Sequence, residues 1–157
     1  MGNFKFPKLT PHNYATWSIK MWCHLMHNGI SQYVDGTLRK PTGDNVSTSD
    51  ISSWKALDRK ALGDICLRVD EKIMYQIRKS STSKQAWDIL KNLYDKVFED
   101  EIISLDPKSF DSIQDFIIKV NELKTKLTNC GNPIKDDRLI YLIHNKLPSE
   151  YSTFISS

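Results

Sequence analysis

The 157-residue chain holds no long apolar run, no paired cysteines and no block of like charge. Each absence excludes a class of protein. A bilayer-spanning helix needs about 20 consecutive apolar residues, and charged side chains interrupt every candidate run here. Nothing near Met1 combines a basic start with an apolar core, so no secretory leader is expected. Met1-Gly2 opens like an acylation signal, but Phe6 stands where that signal needs Ser or Thr. Cys23, Cys66 and Cys130 are odd in number and widely spaced. That spacing suits neither a disulfide framework nor a zinc site, and it points to reduced thiols in a cytoplasmic or nuclear chain. None of the spacings GxSxG, HExxH, GxxxxGK[ST] or GxGxxG occurs. The expectation is a chain that is not an enzyme, without catalytic residues, cofactor, metal ligands or small-molecule substrate.

The charge that is present is unevenly placed. Residues 1–98 carry 15 Lys and Arg against 9 Asp and Glu, and residues 99–157 carry 7 against 10. The front is mildly basic and the back mildly acidic. Opposite-signed ends favour weak head-to-tail contact between copies, screened by salt.

Hydrophobic spacing reads as helix nearly throughout. Asn13 is placed to cap a first helix ending at Asn28, with Gly29 as its stop. Tyr14, Ala15, Trp17, Ile19, Met21, Trp22, Leu25 and Met26 cover roughly 200° of that helix, more than one buried face needs. It is therefore expected to be covered on two sides. Residues 30–49, with VDG and KPTGDN, read as loop. A helix from Ser49 or Asp50 to Val69 carries the stripe Trp54, Leu57, Ala61, Ile65, flanked by Leu62 and Val69. EKIMYQIRK forms a short helix with Ile73 and Ile77 inward and Met74 as a further inward candidate. Ser81 or Thr82 caps the next, SKQAWDILKNLYDKV, with Ala86, Trp87, Leu90, Leu93, Tyr94 and Val97 inward. Acidic residues and Pro107 mark 99–111 as a linker. Ser112 and Asp115 resemble a capping box, and the helix they open carries Ile113, Phe116, Ile117, Val120, Leu123 and Leu127. Asp136 caps DRLIYLIHNKL, and Pro148 opens a final helix. The fold class expected is all-α, in two small lobes. The divisions are an extended segment 1–11, a first lobe 12–98, the linker 99–111 and a second lobe 112–157.

Chemistry-bearing side chains read as structural or as contact residues. Cys23, His24 and His27 are close in sequence, but a zinc site needs three or four ligands and no further cluster is evident. Trp17, Trp54 and Trp87 sit inside apolar stripes and belong to a core. Three contact surfaces are candidates. Ile143, Leu147, Tyr151 and Phe154 form an apolar set suited to self-association. Phe4, Phe6 and Leu9 alternate in an extended run that can dock in a groove of the first lobe, its own or a neighbour's. Lys55, Arg59, Lys60, Arg78 and Lys79 are the cations best placed for nucleic acid.

Five stretches then follow one another from Leu9 to Phe154: KLTPHNYATWSIKMWCHL, YVDG, SSTSKQAWDILKNLY, SFDSIQDFIIKVNELKTKL and NKLPSEYSTF. In this order they resemble the capsid region of the Gag polyprotein of copia-type LTR retrotransposons, plant members above all. The resemblance implies two helical lobes like the two halves of a retroviral capsid protein. It implies self-association with identical or related Gag subunits and no catalysis. Three departures stand out. The segment after LKNLY is shorter than in that family, the chain stops within the last helices of the second lobe, and no zinc knuckle of the Cys-x-x-Cys type follows. The functions expected are a capsid-like assembly module, a truncated Gag that inhibits assembly of related elements or viruses, or a weak RNA-binding helical domain. The source is a transposon fragment or a host-domesticated descendant. No membrane partner is expected.

Overall fold

A computed structural model describes residues 6–129 and 133–151, the last by its backbone alone. Seven α-helices account for most of the described residues: α1 Tyr14–His27, α2 Ser31–Val34, α3 Thr48–Cys66, α4 Glu71–Ile77, α5 Ser83–Ser104, α6 Ile113–Asn129 and α7 Asp136–His144. Short 3-10 turns occupy Pro107–Ser109 and Ser149–Tyr151. Among the described residues there is no strand, only an isolated parallel bridge between Leu9 and Val69. The class is all-α, as the spacing predicts. The chain divides into two compact units, Met1–Asn92 and Leu93–Ser157, with the division falling within the residues of α5.

Residues 99–104, read from sequence as linker, are helical. The reason is a stripe at every fourth residue: Ala86, Leu90, Tyr94, Phe98 and Ile102 are all buried. Acidic side chains between Phe98 and Ile102 conceal that stripe when composition alone is read. Residues 30–34, read as loop, hold α2, because Ile30, Tyr33 and Val34 find a core to enter.

In the first unit, α1 ends as its Gly predicts. Gly29 has φ +66°, its N–H donates to the Met26 carbonyl at 3.0 Å, and the Ile30 N–H donates to the Leu25 carbonyl at 3.0 Å. This double bond pattern is the Schellman ending, and Gly adopts the positive φ without steric cost. The start differs from expectation. Asn13 makes no capping bond. Its Oδ1 instead accepts from the Thr10 N–H at 2.8 Å, and its Nδ2 donates to the Lys8 carbonyl at 2.9 Å. Asn13 thus folds the preceding segment back onto the unit. Leu9 there is fully buried, its N–H donating to the Arg68 carbonyl (2.8 Å) and its carbonyl accepting from the Asp70 N–H (3.0 Å).

The rings of α1 answer to the same place. Trp17 is fully buried, and its Nε1–H donates to the Arg68 carbonyl at 2.9 Å. It stacks with Tyr14 at 6.2 Å and with Trp87 at 5.9 Å, and Trp87 meets Trp22 at 5.9 Å. Such ring pairs contribute about 0.5–1.5 kcal/mol each beyond area burial. Only one face of α1 is covered, however. Tyr14, Trp17, Met21 and Leu25 face inward, while Ile19 and Met26 are 56% and 51% exposed. The two-sided burial expected of α1 is not met within the described residues.

Helix α3 starts at Thr48, one or two residues before the expected Ser49 or Asp50. Ser47 is its cap, its Oγ accepting from the Asp50 N–H at 3.0 Å. Its buried face is Asp58, Ala61 and Ile65. Trp54 is half-buried and Leu57 is 40% exposed, so the stripe is rotated from the expected one. The buried Asp58 explains the rotation: its Oδ1 accepts from both the N–H and the hydroxyl of Ser83. Charge pattern alone places an Asp outward, and only its partner at the start of α5 brings it in. Thr82 caps α5, accepting from the Gln85 N–H at 3.2 Å.

The second unit packs Tyr94, Phe98 and Ile102 of α5, Phe116, Val120, Leu123 and Leu127 of α6, and Ile134 and Leu139. Phe110 meets Phe116 edge-on at 5.6 Å. Ser112 caps α6 as expected, accepting from the Asp115 N–H at 3.1 Å. At the end of α5, the Lys146 ammonium donates to the carbonyls of Ile102 (3.3 Å) and Leu105 (2.9 Å). A cation at a helix C-terminus opposes the dipole there. Lys135, not Asp136, is the residue preceding α7, and it makes no side-chain cap. Asp136 lies in the first turn and pairs with Lys124.

The docked segment yields a test. Leu9→Ala is expected to destabilise the protein by about 2–5 kcal/mol, as for a fully buried leucine. Lys8→Ala, one residue away and exposed, should stay within about 0.5 kcal/mol. Urea unfolding of the two variants checks both.

Candidate functional site

The surfaces singled out by sequence are distributed differently from expectation. Of the self-association set, Ile143 and Leu147 are half-buried. Leu147 lines a cleft of about 490 Å³ in the second unit with Phe110, Ile113, Lys146 and Pro148. The Tyr151 side chain and Phe154 lie outside the described residues. The large exposed apolar side chains of this unit lie elsewhere. They are Ile103 (47%) on α5, Ile117 (46%) and Ile118 (64%) on α6, and Ile140 (39%) and Tyr141 (73%) on α7. Ile117 was expected in the core. The inward set of α6 is Phe116, Val120, Leu123 and Leu127, and a residue one position on from Phe116 is turned ~100° away from it. Ile118, an apolar residue off the stripe, was the sequence signal for this surface.

Of the docking segment, Leu9 occupies a groove of its own unit. Phe6 is half-buried, edge-on to the His24 ring at 6.0 Å and under the Arg68 guanidinium at 5.1 Å. Phe4 lies outside the described residues. His24 Nε2 is 3.1 Å from Asp64 Oδ2, and Arg68 Nη1 is 3.2 Å from Asp64 Oδ1. A single half-buried carboxylate thus ties α1 to the end of α3 beneath Phe6. Cys23 and His27 are exposed, and among the described residues no three His, Cys, Asp or Glu side chains converge.

Of the basic set, Lys55 and Arg59 come together. With Lys40 they rim a concavity of about 240 Å³ whose other lining residues include Trp54, Asp58 and Thr82. Arg78 lines a separate concavity of about 310 Å³ with Glu71, Met74 and Tyr75, its guanidinium 5.5 Å from the Tyr75 ring centre. Lys60 and Lys79 are exposed and line neither. The involvement of Lys40 and Trp54 escaped the sequence reading. Lys40 lies in a long connection, and Trp54 looked like an ordinary core ring.

Titration offers little chemistry. Burial pushes the Cys66 thiol above its ordinary range. The Glu122 carboxyl is held below its usual range by its hydrogen bond to Lys126, then by the charges of Lys126 and Lys119. That acid is on an exposed helix face, where such pairs contribute little. A protonated, half-buried thiol is a poor nucleophile, whereas Cys23 is exposed. Limited alkylation near neutral pH should therefore label Cys23 well before Cys66, which peptide mass spectrometry reads directly. Equal labelling would contradict the burial of Cys66.

No curated protein and no solved structure matches the chain. A family model for the gag-polypeptide of LTR copia-type matches residues 21–157. No helix among the described residues is long and apolar enough to cross a membrane. The match covers well over half of the sequence and reaches into both compact units, and the chain therefore belongs to the copia-type Gag family, a structural and non-catalytic one.

Proposed function

We propose that the chain is a capsid-like assembly module whose work is contact between identical or related Gag subunits. The reading is supported by family membership and carried by one observation: each unit leaves large apolar side chains uncovered. In the first unit, where Leu67 and Tyr75 are also exposed, they include Ile19 and Met26 on α1. They lie seven residues apart, on one face of the helix. In the second they are Ile103, Ile117, Ile118, Ile140 and Tyr141. Burying such surface is worth about 25 cal/mol per Å².

Two different apolar surfaces per copy matter for the product. A single self-complementary patch closes a dimer. Two distinct patches allow each copy to hold two neighbours and so to grow a lattice or ring. Catalysis has no part in this role, and the first and second units serve as the two contacting lobes.

The test is light scattering across concentration, on the natural chain and on Met26→Glu, Tyr141→Glu and the double variant. The two residues are exposed, so the fold should survive. The natural chain is expected to grow beyond a dimer, each single variant to stop at small species, and the double variant to remain monomeric. A monomeric natural chain up to about 1 mM, which means association weaker than about 4 kcal/mol, would sink the proposal. So would growth of the double variant equal to that of the natural chain.

A further inference from the structure

The first unit carries a pocket that neither its core nor its apolar contact surface accounts for. Its volume, about 240 Å³, suits a single small planar group, and Trp54 forms one wall. That indole is held in place. Its Nε1–H donates to the Leu38 carbonyl at 2.9 Å, and the Tyr33 ring lies 5.9 Å away. Lys40, Lys55 and Arg59 surround it. Among the described residues no carboxylate forms an ion pair with any of the three. Ser81 and Thr82 add hydroxyls, which both donate and accept.

We propose that this pocket binds one nucleotide of a single-stranded RNA. The base stacks against Trp54, and the flanking phosphates meet Lys40, Lys55 and Arg59. The combination of a fixed ring with unpaired cations is what single-strand binding requires: every base has a face to stack, and every phosphate a charge to neutralise. A duplex fits poorly, because its bases are stacked on each other and not free to enter. An acidic peptide would use the cations but leave the aromatic wall idle. Asp58 at the pocket is already committed through its Oδ1 to the N–H and hydroxyl of Ser83. A path for the next nucleotide is present. Arg78 lies three residues before Ser81 and so within roughly 11 Å of it, Cα to Cα. Its guanidinium lies over Tyr75, a ring that is 67% exposed.

This proposal is independent of self-association and is tested below the concentration at which the chain associates. The probe is a fluorescent oligouridylate of about 10 nucleotides, within the span that such sites cover, read by anisotropy. Arg59→Glu should weaken binding about tenfold and flatten its salt dependence. Lys20→Glu makes the same charge change at an exposed position on α1 and should matter far less. An abasic oligomer of equal length should bind about tenfold more weakly, for want of a base to stack. Equal losses from Arg59→Glu and Lys20→Glu would overturn the proposal, since they mean diffuse charge without a pocket. Equal binding of the abasic oligomer, or of an oligoaspartate, would overturn it too, as would no binding at low salt.

Discussion

The backbone carbonyl of Arg68 accepts two hydrogen bonds, one from the Trp17 indole and one from the Leu9 amide. Three parts of the chain meet at that oxygen: the docked N-terminal segment, α1 and the end of α3. A buried carbonyl left without partners costs about 1–3 kcal/mol, and a buried indole N–H wants an acceptor. Both requirements are met by one geometry, which sets where α1 lies against α3. The ring chain Tyr14–Trp17–Trp87–Trp22 then brings α5 to the same core. Trp17 therefore serves as the reference point of the first unit, and the aromatic crowding of residues 12–29 is explained by packing.

What remains after that packing is surface, and its character differs from place to place. One face of α1 is spent on the core, while Ile19 and Met26 are left outside. In the second unit α6 and α7 do likewise with Ile117, Ile118, Ile140 and Tyr141. A subunit built to assemble must keep some apolar area unsatisfied when alone, because association draws on the same burial that folding does. The polar features are of a different kind. The polar contact His24–Asp64 and the ion pairs Asp64–Arg68 and Lys124–Asp136 tie parts of their own units together. The cations around Trp54 have no such partner among the described ion pairs, which separates them from structural charge.

Much of the architecture was legible in the chain itself. The stop at Gly29 and the caps at Thr82 and Ser112 follow from local chemistry that reaches three or four residues. The stripe Phe116, Val120, Leu123, Leu127 is a repeat that one helix displays unaided. The misreadings share a cause. Asn13 looks like a cap and is a staple for Lys8 and Thr10. Asp58 looks like a solvated charge and is buried against Ser83, which rotates α3 and lifts Trp54 and Leu57 toward solvent. Residues 99–104 look like a linker by composition, yet Ile102 continues the stripe of α5.

The amino-acid order alone therefore determined the helical class, the helix ends at Gly29, Thr82 and Ser112 and the family resemblance, because each depends on side chains near in sequence. Only the tertiary structure decided which of two apolar faces of α1 is covered, where Leu9 docks, and that Lys40, Lys55 and Arg59 share a pocket with Trp54. Those outcomes depend on partners tens of residues away. A helix with more apolar surface than one neighbour can cover does not itself say which side the neighbour takes.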